Sequence, residues 1–376
     1  MKHQSRLSEV ARVFFKLGCV AFGGPAAHIA MMEHEIVDKR KWIDRQHFLD
    51  LMGATNLIPG PNSTEMTMHC GHERAGVPGL FVAGICFIFP AVVITGVFAW
   101  LYESYGSLPS VSPFIFGIKP AVLAIIVAAI LKLGKKALKN WELGFLGILV
   151  LMASLLGVNE ILALIVGGVL GALYFYLKTS FSGSLKSFLP FLMVNFTGTS
   201  DSGLTSLKVF WVFAKVGAVL YGSGYVLFAY LDAELVTRGW LTRQELIDAV
   251  AVGQFTPGPV LSTATFIGYQ LSGFWGAVAA TLGIFLPSFL FVLVLNPLVP
   301  KMRKSRLLGY FLDSVNIAAV AVMVAVLFKM GADTLIGWRS ILIAVVSLVI
   351  TFGFKRINAM WTVIGGSLLG YLLYLI

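Results

Sequence analysis

Charged residues are scarce in this chain. Only 12% of its 376 residues are Asp, Glu, Lys or Arg, whereas 58% are hydrophobic. A soluble domain carries about 25% charged residues, so this scarcity excludes a soluble globular protein. Together with a mean hydropathy of +0.87, it predicts an all-α polytopic membrane protein.

Cysteines and catalytic motifs are also sparse. Cys19, Cys70 and Cys86 lie in apolar segments without metal-ligand spacing. We interpret them as small core residues and expect neither a metal nor a cofactor. Neither H-E-x-x-H nor G-x-S-x-G occurs, which argues against an enzyme. The net charge is +10. With no soluble domain to bind nucleic acid, we assign this excess to cytoplasmic loops, where Lys and Arg accumulate.

One interrupted stretch, from Trp42 to Gly71, dominates the pattern. At its centre Pro59-Gly60-Pro61 separates two helical arms and forms a broken hairpin over residues 46–72. Proline lacks an N–H and excludes its predecessor from the helical region, so the helix breaks there. Each arm of about a dozen residues rises about 18 Å, against about 30 Å of hydrocarbon. Irregular backbone at that depth is tolerated only inside protein or beside a polar cavity.

The interrupted stretch occurs twice. The chain from Trp240 to Pro259 repeats its Trp, Arg-Gln, Asp and Pro-Gly-Pro pattern, and a second broken hairpin covers residues 243–270. Further pairs in register are Lys16/Lys215, Gly71/Gly268, Gly76/Gly273, Gly79/Gly276 and Pro90/Pro287. Chance apolar similarity would not align two intramembrane lysines with so many glycines and prolines, so the pattern indicates an internal duplication.

The duplication predicts an N-terminal repeat (1–185), a Ser/Gly/Thr-rich linker (186–207) and a C-terminal repeat (208–376). We expect about five transmembrane helices in each repeat, besides its hairpin. The predicted spans lie near 13–32, 79–101, 117–134, 142–157 and 161–177, then near 209–231, 274–296, 311–328, 340–354 and 358–376.

An odd number of crossings in each repeat predicts that the two repeats have inverted topology. The basic residues agree. Loop 132–141 has four Lys/Arg against two in 329–339, whereas loop 102–116 has none against four in 297–306. Because cytoplasmic loops are rich in Lys and Arg, we expect both termini outside. Lys2, Arg6 and Arg12 conflict with that orientation.

Inverted repeats with broken helices are typical of secondary transporters, whose substrate site lies near the midplane. After each Pro-Gly-Pro a helix begins at depth, with unpaired N–H groups and about half a positive charge from its dipole. Two such ends, with hydroxyls and buried lysines nearby, suit an oxyanion. A packing kink, and for the lysines snorkelling to the interface, are the alternatives.

These features define two sets of candidate residues. The substrate-binding candidates are Lys16, Lys215, Gly23, Gly24, Gly60, Asn62, Ser63, Thr64, Gly258, Ser262 and Thr263. The candidates for proton coupling are Glu65, Asp50, Asp248 and His69. For Glu65 the alternative is a helix-capping acid, and for the two aspartates a loop-facing charge.

The segments FGGPAAH, WIDRQHFLDL and NLIPGPNSTEMTMHCG resemble the chromate ion transporter family in its long, two-domain form, over essentially the whole chain. The resemblance implies an inner-membrane protein that exports chromate, driven by the proton motive force, and so gives chromate resistance. Sulfate is the chemical mimic of that substrate.

The second repeat departs from the first. Tyr221-Gly-Ser-Gly replaces Phe22-Gly-Gly-Pro, and Val260-Leu261 replaces Asn62-Ser63, so we expect the N-terminal repeat to make most substrate contacts. The expected partners are the oxyanion, protons and the lipid bilayer, and a homodimer is left open. A passive anion channel and, remotely, an intramembrane enzyme remain as alternative functions.

Overall fold

The chain is built of helices joined by short turns. A computed structural model describes residues 2–22, 24–180, 205–221, 224–295, 305–354 and 359–376, and no strand occurs in these ranges. Residues 186–204 of the expected linker lie outside the described residues.

Seven α-helices make up the described part of the first half. Its helices are α1 (Lys2–Val20), α2 (Pro25–Glu33) with a π-helical continuation (His34–Lys39), α3 (Arg45–Thr55), α4 (Asn62–Tyr105), α5 (Ser112–Ala137), α6 (Trp141–Leu155) and α7 (Glu160–Ser180).

The second half repeats this order. Its helices are α8 (Ser206–Val219), a 3₁₀ turn (Gly224–Val226), α9 (Leu227–Leu231) with a π-helical continuation (Asp232–Val236), α10 (Arg243–Phe255), a 3₁₀ turn (Val260–Ser262), α11 (Thr263–Leu295), α12 (Arg306–Thr334), α13 (Trp338–Gly353) and α14 (Ala359–Tyr374).

Helix starts follow local sequence signals. The side chain of Asn140 accepts a hydrogen bond from the N–H of Leu143 at the start of α6. Thr205 and Ser305 cap α8 and α12 in the same way, and Thr242 forms a capping box with Glu245 in α10. Such caps satisfy N–H groups that have no partner within the helix.

The long helices are those of a membrane protein. Among the described residues, α4, α5, α7, α11 and α12 are long and apolar enough to span a bilayer, and α6, α13 and α14 are shorter apolar helices. Exposed apolar side chains recur every four residues on α4 and α11, at Ile85, Phe89, Val93, Val97, Leu282, Leu286, Leu290 and Val294. Residues four apart share one helix face, so each helix presents a continuous apolar stripe to lipid.

The single span predicted over residues 13–32 is wrong. The helix α1 ends at Val20, the backbone breaks, and α2 begins at Pro25 behind Gly24, whose φ is +78°. Glu9, near the start of α1, accepts hydrogen bonds from Arg40 (3.0 Å) and Arg74 (2.6 Å). Arg40 follows α2 and its π-helical continuation, so the start of α1 and the end of this segment lie together. The chain therefore enters the membrane and returns to the same face. Gly-Gly-Pro breaks the helix too early for a crossing.

The predicted span over residues 209–231 fails in the same way. The helix α8 ends at Val219, and Lys215, just before the break, pairs with Glu234 at 2.6 Å. Each half therefore starts with two broken hairpins. Four apolar helices follow, some of them long enough to span a bilayer and some shorter.

Sharp bends close the second hairpin of each half. Within α4 the backbone leaves helical geometry at Ala75 and Gly76, and within α11 at Ser272 and Gly273. Gly76 and Gly273 have nearly equal φ values of +65° and +60°. A Cβ on Gly71 would touch the carbonyl of Gly79, and the pair Gly268/Gly276 does the same. The aligned glycines are thus explained by arms that cross in close contact.

The two halves share an extensive interface, in which α5, α6 and α7 pack against α12 to α14 and α4 packs against α11. Phe81 stacks on Phe289 with ring centroids 5.5 Å apart, and Gln270 donates a hydrogen bond to the carbonyl of Ala99 at 3.4 Å. Residue numbers rise along one helix as they fall along the other, so α4 and α11 run antiparallel.

Cysteine labelling tests this arrangement of faces. In a background with the three native cysteines replaced by alanine, labels at Arg6, Lys39 and Lys136 should react with a membrane-impermeant thiol reagent from one side, and a label at Arg339 from the other. If cysteines at the positions of Arg6 and Lys39 react from opposite sides, residues 13–32 cross the membrane and the first hairpin is contradicted.

Candidate functional site

The two Pro-Gly-Pro turns are each held by the opposite half of the molecule. The N–H of Gly60 donates to the carbonyl of Leu220 at 2.7 Å, and the N–H of Gly258 donates to the carbonyl of Ala21 at 2.8 Å. Both acceptors lie where the first helix of a half, α8 or α1, breaks. The tips of four broken hairpins therefore meet in two matched pairs.

Around the first turn, polar groups converge on Gly60. Its φ is +143°, and an added Cβ would collide with the Glu65 carboxylate and the Ser288 hydroxyl. Glu65 is fully buried. Neither Glu65 oxygen makes a hydrogen bond of good geometry to a described residue. This corner joins a carboxyl group of the first half to a hydroxyl of the second.

The first turn of α4 carries further polar groups. The Ser63 hydroxyl lies 3.3 Å from Nδ1 of the buried His28, and Asn62 donates to Asn56 at 2.7 Å. The buried Thr64 hydroxyl has no hydrogen-bond partner among the described residues. The helix dipole places partial positive charge at this same end.

The matching end of α11 is satisfied from within the protein. The Thr95 hydroxyl of α4 lies within hydrogen-bond distance of the Ser262 hydroxyl (3.2 Å) and of the Thr256 hydroxyl (3.3 Å). The Thr263 hydroxyl donates to the carbonyl of Val260 at 2.8 Å. The two half-helix ends thus match in backbone and differ in side-chain chemistry, as the Val260-Leu261 substitution implies.

Lys16 and Lys215 lie on the legs of the first hairpins and pair with acids. The Lys16 ammonium is 4.0 Å from Glu35 and that of Lys215 is 2.6 Å from Glu234, with 60% and 35% of the two lysine side chains exposed. Each glutamate also binds an arginine, Arg40 at 3.1 Å or Arg238 at 2.8 Å. The lysines are therefore compensated within their own half, and none of their ion pairs involves a half-helix end.

Glu35 lies in the segment between the first two hairpins. Burial alone would raise the pKa of its carboxyl, but the hydrogen bond from Arg40 and the charges of Lys16, Lys39 and Arg40 outweigh it. The pKa of Glu35 is therefore held below its ordinary value.

The matched aspartates have different surroundings. Asp248 is buried and takes a hydrogen bond from Tyr102 at 2.7 Å, with the Lys119 ammonium 3.3 Å away. Asp50 is only partly buried, and Gln46 lies within 3.5 Å of it. His69 is buried one turn after Glu65. Of the remaining candidates, Gly24 precedes α2 and Gly23 lies outside the described residues.

Sequence reasoning missed several of these groups. His28 was visible inside the FGGPAAH segment, and Glu35 and Glu234 recur in register just as their lysines do. Ser288 follows the aligned Pro287, but its counterpart is Ala91, so the repeat gave no signal for it. Tyr102 and Lys119 meet Asp248 only through tertiary packing.

The comparisons with known proteins agree with this architecture. A family model described as "Chromate transporter" matches residues 8–172 and again residues 207–371. The chain belongs to the chromate transporter family. It is accordingly a multi-pass membrane transporter for ions, not an enzyme.

Curated relatives cover most of the chain. The chain is 30% identical to the "Chromate transport protein" of Cupriavidus metallidurans over 98% of this chain and 93% of that protein. It is 28% identical to the "Probable chromate transport protein" of Synechococcus elongatus over 91% and 89%. The "Uncharacterized transporter YwrB" of Bacillus subtilis is 30% identical over 45% of this chain and 88% of its own length. No solved structure matches.

Gly60 offers a direct test of the first turn. Gly60→Ala should lower the free energy of unfolding by about 2–4 kcal/mol, because strained backbone and overpacking each cost about 1–3 kcal/mol. Gly239→Ala is the matched control, since Gly239 also has positive φ (+69°) but nothing within 4 Å of an added Cβ. Thermal unfolding in detergent should separate the two, and equal losses would contradict the contact with Glu65 and Ser288.

The lysine pairs predict unequal effects in the two halves. Lys215→Gln should destabilise the protein by about 2 kcal/mol, the cost of losing a charge-assisted hydrogen bond to a buried acid. Lys16→Gln should cost less than about 1 kcal/mol, because its ion pair is longer and its lysine side chain is more exposed to solvent than that of Lys215. Melting temperatures in detergent would show this order, and a larger loss for Lys16→Gln would contradict it.

Proposed function

We propose that this chain exports chromate or a related tetrahedral oxyanion such as sulfate across the inner membrane, driven by the proton motive force, and so gives chromate resistance. The observation that carries the proposal is the start of α4, where unmet polar groups meet the positive end of a buried half-helix. The names of the long relatives supply the substrate class.

Inverted repeats are part of this proposal. In the described residues, four apolar helices follow the hairpins of each half. Because an even number of crossings returns the chain to the side on which it started, the number of crossings does not predict inversion. Its support is now the antiparallel packing of α4 and α11 and the reciprocal hydrogen bonds of Gly60 and Gly258. We place the boundaries of the two repeats at 1–185 and 208–376.

The return of the first hairpin also revises the orientation of the chain, since the sequence led us to expect the N-terminus outside. Because α1 begins on the same face as the loop at 33–45, its basic residues join those of that loop and of 132–141. The positive-inside rule then places this face in the cytoplasm and removes the conflict over Lys2, Arg6 and Arg12.

The oxyanion contacts come chiefly from the first half. The Asn62, Ser63 and Thr64 side chains and the first N–H groups of α4 offer donors to an anion. In the second half, Val260 and Leu261 replace Asn62 and Ser63, and the Ser262 and Thr263 hydroxyls already have hydrogen-bond partners. Gly60 lets Glu65 and Ser288 lie close to the turn, Gly258 occupies the matching position in the second half, and Lys16 and Lys215 act at longer range, through the charge network at the hairpin legs.

Glu65 is the proposed coupling group. A buried ionised carboxyl without a cation beside it is costly, whereas the dipole of α4 favours the charge. An anion arriving at the same helix end tips this balance towards the neutral acid, so anion and proton bind together. A divalent anion with one proton carries one net negative charge, so the membrane potential, negative inside the cell, drives the pair outward. His69, Asp50 and Asp248 are the secondary candidates. A homodimer would not alter this scheme, since both hairpin pairs lie within one chain.

Accumulation of labelled chromate or sulfate in inside-out vesicles tests the function. A proton gradient directed into the vesicle should drive uptake above the external concentration, because anion and proton bind together. Simple equilibration, unchanged by the gradient, would favour the passive anion channel instead.

Glu65→Gln should separate binding from coupling. The amide mimics the neutral acid, so we expect oxyanion flux to persist but to lose its response to a pH step. Asp44→Asn is the control, because Asp44 is exposed just before α3 and is not a coupling candidate. If Glu65→Gln still responds to the pH step as wild type does, Glu65 serves only as a helix-capping acid.

A further inference from the structure

A cavity lies away from the Pro-Gly-Pro turns, on the face where α5 and α10 begin and α12 turns into α13. Its volume is about 670 Å³, and its lining includes Ser112, Lys119, Gln244, Thr334 and Arg339. None of these residues was a candidate from the sequence, and the proposed transport site does not use them.

The backbone makes this cavity electropositive. The helices α5, α10 and α13 start at Ser112, Arg243 and Trp338, and residues from each of these first turns line the cavity. Each helix start presents the positive end of its dipole, while the capping box of Thr242 and Glu245 already engages N–H groups at the start of α10 and Ser340 accepts from the N–H of Gly337 before α13. Three such ends around one space favour an anion over a cation.

Two cationic side chains add full charges. Lys119 reaches the cavity from α5 while it contacts Asp248 at 3.3 Å. The Arg339 guanidinium lies 5.6 Å from the centre of the Trp338 ring and has no carboxylate within ion-pair distance among the described residues. The acid in the lining, Asp333, is held by Arg243 at 2.7 Å.

Thr334 provides an independent sign of a missing ligand. It lines the cavity and is only 9% exposed, and its hydroxyl has no hydrogen-bond partner within the described chain. An unmet buried hydroxyl is costly, and an oxyanion in the cavity would accept its hydrogen bond.

We propose that this cavity is a second anion site, which binds a tetrahedral oxyanion of the phosphate or sulfate class between Lys119, Arg339 and the Thr334 hydroxyl. Such an oxyanion comes either free from solution or as the phosphate of an anionic lipid. Exposed Ile336 and Trp338 at the rim are typical of a membrane interface, so both sources have access. The site stands whether or not the chain transports chromate.

Binding of labelled sulfate to the full chain in neutral detergent tests the proposal. Lys119→Gln and Arg339→Gln should each weaken binding at this site about tenfold or more, the effect of losing one charge-assisted hydrogen bond. Lys136→Gln, which removes an exposed charge on the opposite face, should leave it unchanged. Thr334→Val should weaken binding without lowering the melting temperature, because it deletes an unmet hydroxyl at constant shape. Glu65→Gln changes the proposed transport site and leaves the cavity intact, so sulfate binding in the cavity should persist in this variant. Failure of the transport proposal can therefore be distinguished from failure of the second anion site.

Nanodiscs identify the source of the anion. If the occupant is a lipid, wild-type protein should bind sulfate in discs of pure phosphatidylcholine but not in discs that contain phosphatidylglycerol. Lys119→Gln should remove this inhibition by phosphatidylglycerol. If it is a free anion, sulfate should bind equally in both discs. The proposal is overturned if the cavity variants and Lys136→Gln bind sulfate and phosphatidylglycerol as wild type does.

Discussion

Backbone polarity at membrane depth is the constraint on which this structure depends. A Pro-Gly-Pro turn cannot satisfy its own glycine N–H, and lipid offers no partner. The protein solves this by exchange, since Gly60 donates to Leu220 and Gly258 to Ala21. Each half supplies the carbonyl that the other needs, and those carbonyls are free only because α1 and α8 break early. The two kinds of broken hairpin are therefore interdependent, and a half expressed alone would leave one partner of each hydrogen bond unsatisfied.

Duplication fixed the backbone of both halves while their chemistry diverged. The bends at Gly76 and Gly273, the π-helical segments and the Lys–Glu–Arg clusters all recur. At the half-helix ends the symmetry stops: Thr95 engages Ser262, whereas Glu65, Thr64 and Ser288 lack good hydrogen bonds within the described residues. This asymmetry within the described residues is the reason why we propose the start of α4, and not the start of α11, as the binding end.

The sequence predicted much of this architecture because the deciding signals were local. Paired prolines and glycines located the breaks, hydropathy located the long helices, and register revealed the duplication. The first spans were wrong because hydropathy counts apolar residues and does not register a return at Gly-Gly-Pro. The partners of Lys16 and Lys215 were missed because an isolated lysine shows its cost in lipid but not its counter-ion. Ser288 and Lys119 reach their neighbours through the packing of α4, α5, α10 and α11, which no single segment encodes.

The compensation of both lysines changes how an anion can be held. With Lys16 and Lys215 neutralised by Glu35 and Glu234, the positive potential at the turns comes chiefly from helix ends, each worth about half a charge. Two ends offset about one unit of a divalent oxyanion's charge, and Glu65 would add a negative charge beside it if ionised. In the proposed scheme, a proton on Glu65 removes that repulsion, so the anion requires the proton in order to stay. We propose that a site built from dipoles and one neutralised acid binds the anion while the proton is present and releases it when the proton leaves.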